Sequence, residues 1–295
     1  MTTQRGMALL SVLLMIAMMT SIAVVIQRQW VDALRRANAL SFQQQAKWTL
    51  AGAEQWLLAQ PEARQAGRLS TLTLEGETVN YRWHDNQACF NLNALALRGR
   101  VDRDNIYWPT AAQRVFIALL TQQGISPENA STLIHRLAQR LNPDNRRDVP
   151  PALDEINQLR DLSFFTPSQW SSLASQLCVL PDIRLQINLN GLNTTTLPLL
   201  NALLGGQADV PALLTLLAHR PAMGWRDVTA FLADVPVATT EAANTLQSIA
   251  VFDSQEWALQ LWIARDNHLA AQRTRFVINQ GVPRVRYRHY GLSTE

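Results

Sequence analysis

Cysteine is almost missing from this chain: Cys89 and Cys178 are the only two among 295 residues. No CxxC and no HExxH occurs, and the histidines (His84, His135, His219, His268 and His289) are scattered, so the common metal-ligand spacings are absent. No GxSxG elbow, phosphate-binding glycine loop or suggestive Cys–His pairing occurs either, and the sequence gives no ground for catalysis. Glu54 and Glu75 read as solvated or paired carboxylates, not as an acid–base dyad. Charge of one sign is scarce as well. A formal net charge of +3 is a basic excess too small to argue for nucleic acid by itself.

What the chain has instead is one long uncharged run. A short polar leader with a single charge, Arg5, ends at Gly6, and from Met7 to Ile26 there is no charged residue. At about 1.5 Å per residue such a run crosses a ~30 Å hydrocarbon core as a helix. A secretory signal peptide has a shorter apolar stretch with its cleavage site on the far side. Here the small residue lies in front of the run, so a cut at Gly6 leaves the apolar segment on the mature protein. Arg28, Arg35 and Arg36 follow the span, and a count of basic residues alone favours keeping that side in the cytoplasm.

The helical period outlasts the span. Trp30, Ala33, Leu34, Ala37 and Leu40, then Leu50, Ala53 and Leu57, predict one helix from about Met7 to Gln60, half in lipid and half packed on a globular body. Leu69–Glu75 and Thr78–Asp85 read as strands of a hairpin turning at Gly76, and Cys89–Asn93 as a further strand. From about Pro109 to Val251 the texture is of short helices, with capping hydroxyls before proline at Ser126-Pro127 and Thr166-Pro167. After Phe252 the period returns to two, in Trp257, Leu259, Leu261 and Ile263 and again in Arg284, Arg286 and Arg288. Hydrophobic residues make up 47% of the chain, enough for a substantial core and a second domain. One short block occurs twice: Phe90-Asn91-Leu92-Asn93-Ala94-Leu95 is echoed by Ile187-Asn188-Leu189-Asn190-Gly191-Leu192. Asparagine in such a pattern suits turns, because its side chain bonds local backbone.

The leader, Arg5-Gly6-Met7-Ala8-Leu9-Leu10, resembles the class III leader of type IV pilins and pseudopilins. The two asparagine blocks, together with Leu153–Leu159 and Thr194–Gly206, are similar to those of the minor pseudopilin K family of type II secretion systems. That resemblance covers most of the chain to Val235 and, in pattern only, the last strands. It implies cleavage after Gly6 by prepilin peptidase and N-methylation of Met7. It also implies an α+β, pilin-like fold, with a long transmembrane helix on an antiparallel sheet and a large all-α, SAM-like domain inserted between strands. The implied boundaries are a leader at 1–6, a span at 7–26, pilin-like parts at 27–95 and 253–295, and the insertion at 96–252.

One departure from the wider pilin pattern matters. The fifth mature residue is Ser11, where most such subunits carry the glutamate that meets a neighbour's amino terminus. The resemblance therefore implies a tip subunit, assembling with minor pseudopilins I and J above the major pseudopilin filament and in contact with the secretin or secreted substrates. The implied location is the inner membrane, single-pass, with the body in the periplasm. In that oxidising compartment Cys89 and Cys178 form one disulfide or stay two buried thiols. No cofactor is implied: the family's calcium loop is shortened here to Leu141–Asp148, a poor start on the 6–8 oxygen ligands calcium takes. The alternative is a membrane-anchored helix-hairpin-helix DNA receptor, with Leu204-Gly205-Gly206 as the phosphate hairpin and the arginine row as its footprint. Asp209 beside that hairpin would repel phosphate, and we expect no nucleic-acid partner.

Overall fold

The computed structural model describes residues 3–146, 152–160, 165–235, 239–266 and 268–291, with backbone alone for residues 3–8, 11, 63 and 160. Helix α1 runs unbroken over Thr3–Leu58, and Pro61, the first proline of the chain, lies just beyond it in a 3₁₀ turn. In its second half Phe42, Ala46, Leu50, Ala53 and Leu57 recur every three or four residues, and all five are buried. Strands β1 (Leu69–Leu74) and β2 (Glu77–Asp85) pair antiparallel in a register that sets Leu74 opposite Glu77. The two-residue turn between them has Glu75 at φ 49° and Gly76 at φ 84°, the left-handed pair that matches the twist of a tight hairpin.

The chain then alternates short strands and helices. In order they are β3 (Phe90–Asn91), β4 (Arg100–Val101), β5 (Tyr107–Trp108), α2 (Ala111–Gln122), α3 (Pro127–Leu141), α4 (Asn157–Arg160), α5 (Pro167–Ala174) and β6 (Leu177–Cys178). There follow β7 (Ile187–Asn188), α6 (Leu197–Leu203), α7 (Val210–Ala218), α8 (Val228–Asp234), α9 (Thr240–Ile249) and β8 (Ala250–Val251). Ser126 caps α3 ahead of Pro127, and Thr166 with Gln169 forms a reciprocal capping box ahead of Pro167, as the sequence signals. Among the described residues the insertion expected to be all-helical also carries short strands: β4 pairs with β5 and β7 with β8, while β6 pairs with β3, which lies ahead of the expected start at 96. The strand expected at Cys89–Asn93 is confined to β3, because Asn91 turns the chain at once into a 3₁₀ helix.

Three long strands close the chain: β9 (Glu256–Arg265), β10 (His268–Asn279) and β11 (Val282–Tyr290). They form an antiparallel five-stranded sheet in the order β1-β2-β9-β10-β11. The β10–β11 turn repeats the first hairpin's geometry, with Gln280 at φ 52° and Gly281 at φ 80°. By compactness the chain divides into two units. One takes in the residues up to Arg82, Leu259–Thr274 and those from Arg288 onward; the other takes in Trp83–Ala258 and Arg275–Tyr287. In the first, the buried face of α1 packs on strand segments: Phe42 lies 5.3 Å from the His268 ring, and Gln43 donates to the Leu269 carbonyl. The second has a core running from Phe90 through Phe116, Leu137, Leu200 and Trp225 to Ile249.

Candidate functional site

The apolar half of α1 is the first feature that calls for a function. Its large apolar side chains from Leu9 to Ile26 are between 48% and 71% exposed, and no described element covers them. This helix is long and apolar enough to cross a membrane. Farther along, Trp30, Leu34 and Trp48 project away from Phe42, Ala46 and Leu50 at ~100° per residue, and Trp48 is 79% exposed. Burying that much apolar surface at roughly 25 cal/mol per Å² is a strong drive toward lipid or other chains. Gly6, Met7 and Ser11 lie in the first turns of α1, and their side chains fall outside the described residues. No Asp or Glu occurs in the chain before Asp32.

The second half of α1 is fastened to the body by a buried carboxylate. Glu54 is fully buried and accepts two hydrogen bonds from Arg288, Nε at 2.9 Å and Nη2 at 2.6 Å to Oε1. Its Oε2 also accepts from Thr274 Oγ1 at 2.5 Å and from the Gln272 amide. Of the sequence's two candidate carboxylates, Glu54 is thus paired, and Glu75 sits exposed in the hairpin turn. The partnership was not legible in the sequence, where Arg288 reads as one of an alternating row.

That row does not behave as a phosphate footprint. Arg288 is spent on Glu54, and Arg286 Nη2 lies 3.5 Å from Glu256. The glycine hairpin offers no cradle either. The Gly205 N–H is bonded to the Ala202 carbonyl at 3.1 Å and the Gly206 N–H to the Asn201 carbonyl at 2.8 Å, so both close the end of α6. Two of the three arginines and both glycine amides are thus engaged within the chain.

The twin asparagine blocks turn out to be staples. Asn91 accepts from the amides of Asn93 and Leu180, and Asn93, fully buried, donates to the carbonyls of Leu153 and Leu180. In the second block Asn190 donates to the carbonyls of Trp225 and Phe252 and accepts from the Trp225 amide. Each block begins on a short strand paired parallel with a strand that closes its own half: Asn91 stands opposite Cys178, and Asn188 opposite Val251. The first half is further closed by a disulfide between Cys89 and Cys178. Asp85 hangs beside the second staple, accepting from Asn188 Nδ2 at 2.6 Å and from the Gln87 amide at 2.8 Å. Burial pushes its carboxyl above the usual range. A Cβ on Gly191 would collide with this carboxylate and with Ala88, so the second block has glycine where the first has alanine.

Among the described residues no three His, Cys, Asp or Glu side chains cluster as metal ligands. Asn142, in the shortened loop, spends its side chain on the backbone of Ala96 and Arg146, while Asp148 lies outside the described residues. Of the tryptophans in the body, Trp225 and Trp257 are core, Trp170 and Trp262 are half-buried, and Trp108 is 50% exposed.

A helix half of which no described residue covers, running into a sheet-bearing body, is the build of a pilin-like subunit, and the apolar half fits a transmembrane anchor. The sequence matches the family described as type II secretion system (T2SS), protein K, over residues 88–182 and 188–251, each span holding one stapled half. It is 30% identical to the type II secretion system protein K of Klebsiella pneumoniae, over 84% of this chain and 85% of that protein. Against the protein K of Dickeya chrysanthemi identity is 26%, over 99% and 98%. In fold it is similar, with TM-score 0.69 and 24% identity, to a chain in the crystal structure of the GspK-GspI-GspJ complex from the enterotoxigenic Escherichia coli type 2 secretion system. That match covers 88% of this chain and all of the other. The chain belongs to the type II secretion system protein K family, and it is a minor pseudopilin. The family is structural and not one of known enzymes.

Proposed function

We propose that this chain sits at the tip of the type II secretion pseudopilus, where it assembles with minor pseudopilins I and J and primes the filament. The observation that carries this reading is the uncovered apolar half of α1, together with the absence of any carboxylate before Asp32. In a shaft subunit the glutamate at the fifth mature position neutralises the amino terminus of the subunit above it. Ser11 cannot do so, and a subunit with nothing above it has no need to. The similar chain comes from a complex of K with I and J, which supports those two as partners. In this reading Met1–Gly6 is removed and Met7 methylated, residues 7–26 anchor the protein in the inner membrane, and the body lies in the periplasm. The insertion at 96–252 is too bulky for interior positions of a filament.

Intact mass and N-terminal sequence test the class. Protein extracted from cells with prepilin peptidase should begin at methylated Met7, and protein from cells without it at Met1. A Met1 start in both strains, or a cut beyond Ile26, overturns the reading. The tip position is tested by crosslinking in filaments: the chain should link only to other minor pseudopilins and to the uppermost shaft subunit, and repeated links along the shaft refute it.

A further inference from the structure

The β4–β5 hairpin gathers apolar side chains that the core of the second unit leaves out. Val101, Ile106, Tyr107 and Trp108 are 57%, 52%, 47% and 50% exposed within one short loop. The register sets Arg100 opposite Trp108 and Val101 opposite Tyr107. Directly paired residues share a face and the period is two, so Arg100, Asp102, Ile106 and Trp108 lie together on one side. A pair of two-residue strands is not stable on its own strength. Here side chains hold it. The Asp102 carboxylate accepts from the amides of Asp104 and Ile106 at 3.0 and 2.8 Å and from Trp108 Nε1 at 2.9 Å. On the other face the Tyr107 hydroxyl accepts from the Gly99 amide at 3.2 Å and donates to Gln113 at 2.9 Å. A Cβ on Gly99 would collide with the Trp108 carbonyl, so glycine is what allows the strands to close.

The loop is therefore shaped in advance while its aromatic side chains stay in water. Preorganised Trp, Tyr and Arg are the side chains that dominate protein interfaces, because little entropy is lost when they are covered. Arg100, Val101, Asp102, Arg103 and Trp108 line a shallow open concavity of about 550 Å³. Its four formal charges balance, Arg100 and Arg103 against Asp102 and Asp104, but both Asp102 oxygens are already taken by donors inside the hairpin. Asp102 is consumed inside the hairpin, and the Trp108 hydrogen bond first of all holds its carboxyl below the usual range. Arg100 reaches Asp102 only through space, and Arg103 has no carboxylate within ion-pair distance among the described residues. Arg98 points elsewhere, onto the carbonyls of Asn142 and Pro143, and Asp104 stands exposed at the tip.

We infer that this hairpin is a docking surface for a protein segment combining acidic side chains with an apolar anchor. The carboxylates face Arg100 and Arg103, and the anchor lies over Trp108. A peptide can place its charges opposite the two arginines alone. An anionic lipid surface would also meet Asp102 and Asp104, which repel it. The inference stands on this unit's own surface and does not depend on the tip position.

The test uses the full chain in nanodiscs of neutral lipid and a fluorescein-labelled peptide in which Glu alternates with Leu and Phe, followed by anisotropy. A second peptide has Lys in place of Glu. The acidic peptide should bind with an affinity that falls as salt is raised, and the basic one should not bind. Trp108→Ala should weaken binding by about thirtyfold, the effect of losing a hot-spot side chain. Arg103→Gln changes an exposed residue with no ion-pair partner, so its fold is retained, and it should weaken binding by about fivefold or more. Equal binding of both peptides, no binding, or unchanged affinity in both variants overturns the inference. So does binding to phosphatidylglycerol vesicles in place of the acidic peptide, which would make the hairpin a lipid contact.

Discussion

Replacing Arg288 by alanine should loosen the grip of α1 on the sheet more than replacing Glu54 by glutamine. In the native chain the Glu54 side chain is 1% exposed and that of Arg288 is 40% exposed, so the cost of losing the pair falls mostly on the carboxylate. Removing one partner of a buried pair costs about 3–5 kcal/mol, because the other charge is left without compensation. The half-open position of Arg288 lets water reach part of the vacated site, and Thr274 and Gln272 still donate to Oε2, so we expect the lower end, about 3 kcal/mol. Glu54→Gln removes the buried charge and frees an arginine that can turn to solvent, and should cost only about 1–2 kcal/mol. Hydrogen exchange of the full chain in detergent micelles, read over Phe42–Leu58, is the assay, since it reports local opening without assuming one global transition. Protection in Arg288→Ala should fall by a factor of about 100, against about tenfold in Glu54→Gln. The reverse order, or losses below about threefold in both, would refute the argument that the buried Glu54 side chain depends on Arg288.

The other expectations concern the second unit. The Cys89–Cys178 bridge spans a sequence separation of 89 residues, and a loop near that length is worth about 4.6 kcal/mol in chain entropy, so reductant should lower the urea midpoint markedly. A midpoint indifferent to dithiothreitol counts against it. Asn93→Ala strands the Leu153 amide and the carbonyls of Leu153 and Leu180, and should cost about 2–4 kcal/mol in the same denaturation. A loss under about 1 kcal/mol means that water replaces the staple. The pH dependence has a definite sign. Burial raises the Asp85 and Glu256 carboxyls above their ordinary values of 3.8 and 4.5, so the folded chain holds these protons more tightly than the unfolded one. Their contribution is complete below the unfolded values and is lost as pH rises through the folded ones. Relative to Glu256→Gln, the wild-type chain should therefore lose stability as pH rises above the ordinary value of 4.5, and a difference that is constant or grows with pH refutes the assignment.

Much of this molecule is decided by local chemistry and is legible without coordinates. Met7–Ile26 has no charge and no proline, and a chain of that composition forms a helix whether lipid or protein surrounds it. The stops and starts follow from single residues: Pro61 just after α1, Ser126 and Thr166 ahead of prolines, Gly76 and Gly281 in the tight hairpins. The repeated asparagine block was visible too, because its spacing is local.

What those asparagines hold was not. Asn93 bonds Leu153 and Leu180, and Asn190 bonds Trp225 and Phe252, partners tens of residues away that only the closed fold brings near. The same holds for Glu54 and Arg288, 234 positions apart, each of which looks like an ordinary surface residue from its neighbours. It holds also for Trp108, exposed while Trp225 is buried, although neither stands in an apolar run of regular period. Periodicity and capping are set by interactions within a few residues and are therefore written in the order of the chain. Which polar group meets which, and which aromatic ring is left facing water, depends on how the helices and strands close on one another, and that is a property of the tertiary structure alone.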